Sequence, residues 1–259
     1  MKHAKDFDVF SMLFKPFAAQ LAQVIIDFKH VKQKNAKHYS SHPPSEDQLN
    51  RKTNQILDQL YEKVETQMQD FEEGFEILSH ELPLILSQKE REDIQIEFEK
   101  ALTEMAVASP IVRRADESEE ELNTTIQSSL KLSNFTLEKI YQVGYQFCQK
   151  GNYHAASQIL TILAFLNSLN DRYWLALGIA KHKEKHYEEA LHAYAISALL
   201  NPDHFEPRLY SIEAYCALNM LDDAQLELEV LLQEFSHHHK LTSSLQRLKR
   251  NINQKREQL

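Results

Sequence analysis

Glycine is scarce in this chain: 4 residues in 259, with 7 prolines. That shortage argues against strand-and-turn folds, whose tight turns use glycine's backbone freedom, and favours long helices. It also leaves scarcely any room for a glycine-rich phosphate loop. Cysteine is scarcer still. Cys148 and Cys216 are too few for a disulfide framework, fit a reducing cytosol, and fall at helical positions suited to a small buried hydrophobe. No apolar run approaches the roughly 18 residues that a membrane-spanning helix needs. The first residues, interrupted by Asp6, Asp8 and Lys15, lack a signal-peptide pattern. A net charge of −9 disfavours general nucleic-acid binding, because neutralising phosphates takes a basic surface.

That charge is unevenly placed. Residues 62–104 hold 13 acidic side chains against 4 basic ones, whereas residues 240–259 hold 6 basic against 1 acidic. In the second stretch Leu241, Leu245, Leu248 and Ile252 recur at helical spacing. The basic residues therefore read as the wet face of a C-terminal capping helix.

The N-terminal half reads as helices joined by two linkers. Residues 4–35 carry apolar positions at helical spacing from Phe7 to Phe28, with Pro16 as a kink or restart. Residues 36–47 form a linker by composition, and Ser45 with Gln48 is a capping-box pattern that opens the next helix. That helix is expected to run to about His80 and to end at Pro83. Its stripe of Ile56, Leu60, Val64, Met68, Phe71, Phe75 and Leu78 calls for a partner, either another helix of the chain or a second copy of itself. A third helix is expected over residues 89–106. The charged stretch 109–121 is a second linker, with Ser118 and Glu121 placed to cap a short helix reaching Leu130.

Beyond residue 133 the chain repeats itself every 34 residues. Gly144 superposes on Gly178, Tyr153 on Tyr187 and Leu221, and Ala156 on Ala190 and Ala224. Small residues at that period mark a helix-turn-helix unit whose two helices pack closely, and stacked units of this kind form a solenoid with a concave face. The expected fold class is all-α: a tetratricopeptide (TPR) solenoid of three repeats plus a C-terminal capping helix, preceded by an N-terminal helical region. The expected organisation is 1–108 N-terminal helices, 109–133 linker and short helix, 134–238 repeats, and 239–259 cap. Asp171 is the expected N-cap of the second repeat, and the turns fall at Gly151-Asn152, Lys185-His186 and Asn219-Met220. The third repeat departs from the pattern, with Arg208 and Ile212 where a large apolar and a small residue are usual.

The wording of these repeats goes beyond the generic pattern. Val143-Gly144-Tyr145 precedes Lys150-Gly151-Asn152-Tyr153; Asn170-Asp171-Arg172-Tyr173-Trp174-Leu175-Ala176-Leu177-Gly178 opens the second repeat; Glu206-Pro207-Arg208, with Cys216 beyond it, opens the third. Over residues 135–235 the chain resembles the class II chaperones of bacterial type III secretion, the SycD/LcrH/IpgC type. The resemblance implies a cytoplasmic, non-enzymatic chaperone of about three TPRs. It would hold a secreted hydrophobic translocator or effector soluble by gripping an extended apolar segment in its concave groove. Chaperones of that type carry a few tens of residues before the first repeat, often used for dimerisation, and here more than 130 precede it.

In the TPR frame the groove is lined by first-helix positions that avoid the core between helices. Those map to Tyr141, Tyr145, Cys148, Leu175, Ile179, His182, Leu209 and Glu213. An extended segment in such a groove offers alternating side chains to apolar pockets. The plain alternative for each is packing between neighbouring helices. Arg172 and Arg208 read first as contacts within the array and second as anchors for a client carboxylate. His182 and His186 are four apart, but the intervening residues form no hydrolase motif, and the surface reading is preferred. His237, His238 and His239 are adjacent without a ligand pattern, and neither cysteine has a partner for nucleophilic catalysis. No enzyme activity, metal or cofactor is expected. The other readings are a TPR adaptor or scaffold of a protein complex, docking through its N-terminal helices, and more weakly an accessory domain to an enzyme elsewhere.

Overall fold

In the computed structural model the described residues are 68–107, 125–235 and 242–257, together with Met12 and Phe14. Every element among them is a helix. Contacts divide the chain into two units, Met1–Leu169 and Asn170–Leu259. The first holds α1 (Met68–Ile85), α2 (Gln88–Val107), α3 (Ile126–Ser129), α4 (Asn134–Gln149) and α5 (Tyr153–Leu166). The second holds α6 (Asp171–Lys183), α7 (Tyr187–Leu200), α8 (Glu206–Ala217), α9 (Leu221–Glu234) and α10 (Thr242–Arg256). The pairs α4–α5, α6–α7 and α8–α9 are the helices of the three repeats. Apart from Met12 and Phe14, the expectations for residues 4–35, for the linker at 36–47 and its capping box at Ser45 and Gln48, for Ser118 and Glu121, and for the three consecutive histidines lie outside the described residues.

The repeat turns share one backbone device. Gly151, Lys185 and Asn219, 34 residues apart, all have a left-handed φ, of 78°, 68° and 59°. In each turn the next N–H reaches back five residues to a carbonyl near the helix end: Asn152 to Phe147, His186 to Lys181, and Met220 to Tyr215. These bonds satisfy carbonyls that the ending helix would leave orphaned. Only the first turn uses glycine for the left-handed residue. Lysine at 185 carries a Cβ in a conformation that costs an L-residue roughly 1–2 kcal/mol. Lys185→Gly is therefore expected to stabilise the protein by about 1 kcal/mol, read as a higher urea midpoint at unchanged slope.

Two local expectations are corrected. Pro83 does not end its helix; it lies inside α1, which continues to Ile85. Proline removes one backbone donor near the helix end, but Leu82 and Leu86 on either side are buried, and their burial outweighs that loss. Asp171 is not an N-cap but the first residue of α6. Asn170 caps the helix, its side chain accepting from the Arg172 N–H at 3.1 Å. Asp171 instead accepts from Asn201 at 3.1 Å and lies 3.0 Å from His204, bracing the far end of the same repeat.

In the first unit the N-terminal helices sit on the first repeat. The described part of the stripe finds its partner within the chain: Phe71, Phe75 and Leu78 are buried, while Ile56, Leu60 and Val64 lie outside the described residues. Phe71 meets Phe165 of α5 edge-on with centroids 6.1 Å apart. Gly74 allows the close approach, since a Cβ there would lie 2.9 Å from Ile162 Cδ1 and 3.2 Å from the Gln158 carbonyl oxygen. Phe14 bridges α1 and α2, its ring edge-on to Phe75 at 5.7 Å and to Phe98 at 4.8 Å. Polar ties complete the junction. Gln158 donates to Glu73 at 2.8 Å, and Glu97 of α2 accepts from the Ser133 N–H and the Thr136 hydroxyl at the start of α4.

The start of α2 is itself tied to α4. Ser87 and Glu90 form a reciprocal cap, and Lys139 of α4 pairs with Glu90 at 3.0 Å. The Ser87 N–H, followed by Lys139, holds the Glu90 carboxyl down at about 2. Its depressed value means the contribution is present above the ordinary carboxylate range and lost only as pH falls toward 2.

Candidate functional site

The expected groove positions recur in register on the first helix of each repeat. Tyr141, Leu175 and Leu209 share one offset, and Tyr145, Ile179 and Glu213 share the next. Spacings of four and three place each set on one helix face. The two units present their parts as follows.

On α4, Tyr141 is half-buried and Tyr145 is 51% exposed. Their rings stack with centroids 6.4 Å apart and planes 16° from parallel. Cys148, one turn on, is half-buried, and burial pushes its thiol up from the ordinary range. It is a small hydrophobe here. The face behind them is closed: α5 buries eleven of its residues, with α1 and α4 packed on it.

In the second unit Leu175, Ile179 and Leu209 are half-buried on α6 and α8, which touch. None is sealed, although Leu209 packs in part against the core of the third repeat. His182 is half-buried rather than solvated, which corrects the surface reading. Its ring stands edge-on to Tyr187 at 5.3 Å, and its Nδ1 lies 3.3 Å from the Tyr194 hydroxyl. Burial pushes His182 down, with Glu213 opposing and Lys183 reinforcing, so the ring stays neutral to lower pH than a free histidine. His186 is exposed.

Glu213 has a partner of its own. Arg247 of α10 donates to its carboxylate at 2.9 Å. Arg208 pairs with Glu227 inside the third repeat at 3.1 Å, which is the within-array role expected first. Among the described residues no group of three His, Cys, Asp or Glu side chains is placed to hold a metal ion, and no helix is long and apolar enough to cross a membrane.

Sequence reasoning missed Tyr210. It stacks on the buried Tyr194 at 5.7 Å, and burial with nearby Glu213 and Glu206 pushes its hydroxyl up. Its counterparts at the repeat offset are Ala176 and Gln142, so periodicity carried no signal for it.

Over 110 residues the chain is 29% identical to the Low calcium response locus protein H of Yersinia pestis. The chain resembles the class II secretion chaperones. The match takes in 42% of this chain and 64% of that protein, so the chain spans just under two thirds of the curated relative's length. The Yersinia pseudotuberculosis counterpart matches equally. A type III secretion complex from Aeromonas hydrophila shares the fold, at TM-score 0.50 and 19% identity over 55% of this chain and 97% of that one. The Yersinia enterocolitica chaperone SycD with a peptide of the translocator YopD superposes at TM-score 0.45 and 20% identity, over 48% and 94% of the two chains. No protein-family model matches the chain.

Proposed function

We propose that this chain is a type III secretion chaperone. It works in the bacterial cytoplasm without catalysing a reaction, and holds an extended apolar segment of a secreted translocator or effector on the first-helix faces of its repeats. The observation that carries the reading is the recurrence of apolar side chains left partly open at two repeat offsets, Tyr141, Leu175 and Leu209 at one and Tyr145 and Ile179 at the other. Side chains needed only for packing would be sealed, as Leu163, Ala164 and Leu228 are. Apolar area left open at about 25 cal/mol per Å² is a driving force held in reserve for a client.

The N-terminal helices support this reading over an adaptor whose repeats are only a scaffold. In the first unit α1 lies chiefly against α5 and leaves Tyr145 half-exposed on α4. The repeat motifs add to it, being similar to chaperones of this type at Gly144, Gly151, Trp174 and Pro207.

Co-expression with the candidate translocators of the same genome tests the proposal, with a soluble co-purifying complex as the readout. Tyr145→Glu combined with Ile179→Glu is expected to abolish the complex, because a carboxylate in a dry apolar contact costs several kcal/mol. Far-UV circular dichroism of the variant should match that of the parent. Failure to form a complex with any translocator would overturn the reading.

A further inference from the structure

The second unit ends on a helix that does more than close it. α8 packs on α7 and touches α6; α10 packs on α9 and touches α8 in the same manner. By position α10 is the first helix of a fourth repeat, with its apolar face of Leu245, Leu248 and Ile252 joining the core of the third. The burial pattern agrees with the 34-residue register: Leu245 and Leu248 are buried as Ser211 and Ala214 are, and Arg247 and Arg250 then stand at the offsets of Glu213 and Cys216. Lys255 donates to the Cys216 carbonyl at 2.7 Å and fixes the helix along α8.

The row that is apolar on α6 therefore becomes charged at its end. Glu213, Arg247, Leu248, Arg250, Asn251 and Gln254 line an open cleft of about 500 Å³. The two arginines are exposed and lie one turn apart. Arg247 gives one donor to Glu213, and Arg250 gives its Nε–H to the Gln246 carbonyl at 3.3 Å. Each guanidinium has further donors, in the planar fork that matches a carboxylate. With Glu213 as the one acidic group lining it, the cleft has a positive balance.

We propose that α10 extends the client-binding row, and that Arg247 and Arg250 receive a carboxylate of the client next to the apolar residues held by Leu175, Ile179 and Leu209. The inference rests on the chaperone reading and adds the chemistry of the segment, an apolar stretch flanked on one side by Asp or Glu. The incoming carboxylate shares Arg247 with Glu213. An exposed ion pair of that kind contributes little by itself, so sharing the guanidinium costs little.

Selection of displayed random short peptides on the full chain tests this. The peptides recovered are expected to combine apolar residues with an acidic residue on one side. The Arg247→Gln/Arg250→Gln variant, altered only at exposed positions, should still select apolar peptides but without the acidic preference. A recovered peptide should bind the variant about tenfold more weakly. Its Asp→Asn form should lose as much on the parent chain and almost nothing further on the variant. Apolar selection with no acidic preference, or with a preference that persists in the variant, would overturn the inference while leaving the chaperone reading intact. Absence of apolar selection altogether would sink the chaperone reading, and this inference with it.

Discussion

Phe75→Ala should destabilise the first unit by about 3–5 kcal/mol, the range for deleting a buried aromatic ring. Phe75 is 1% exposed and meets Phe14 and Phe71 edge-on at 5.7 and 5.4 Å. Neither neighbour can collapse into the space, because Phe14 is held against Phe98 and Phe71 against Phe165. The loss is a large fraction of the 5–15 kcal/mol typical of a whole domain. It would loosen α1 from α5 and leave a nearly all-apolar helix wet. Unfolding followed by far-UV circular dichroism should show an early transition absent from the parent, and a change of under about 1 kcal/mol would mean that α1 contributes little to the first repeat.

Gly178→Ala should cost about 2 kcal/mol, although alanine is the better helix former by about 1 kcal/mol. A Cβ at 178 would stand 2.5 Å from two ring carbons of Tyr194. That ring is buried, stacked on Tyr210, and within reach of His182 through its hydroxyl, so it has nowhere to move. Gly144 superposes on Gly178 in the repeat, yet a Cβ there would be 3.3 Å from an Ile159 methyl and 3.4 Å from Leu160, a fit that asks those side chains to give by only a few tenths of an ångström. Gly144→Ala should therefore be close to neutral. The only tryptophan, Trp174, is buried in the second unit, and its fluorescence during urea unfolding reports on Gly178→Ala directly.

The contrast between the two glycines marks how much was legible in the sequence. A period of 34 located the repeats, the turns and the start of each second helix, because small residues and left-handed turns recur wherever two helices must cross closely. It placed Tyr145, Ile179 and Glu213 on matching faces for the same reason. What a glycine touches is not periodic, so Gly178 against Tyr194 and Gly74 against Ile162 could be seen only in three dimensions. The seat of α1 on α5 joins residues more than 80 positions apart. Pro83 was misread because proline's local penalty was weighed without the burial of Leu82 and Leu86. Asp171 reads as a cap in the sequence because aspartate is a good N-cap, and only the backbone geometry gives that place to Asn170. Tyr210 had no repeat counterpart to betray it.

The place of α10 at the end of the array has one more consequence. A stack of like repeats invites another copy to continue it, and head-to-tail contact of that kind grows into open fibres. Here the side turned away from Leu245, Leu248 and Ile252 carries Gln246, Lys249, Asn253 and Arg256, all exposed. A further copy seated on that side of α10 would have to desolvate these polar and charged side chains and would find no apolar surface to cover.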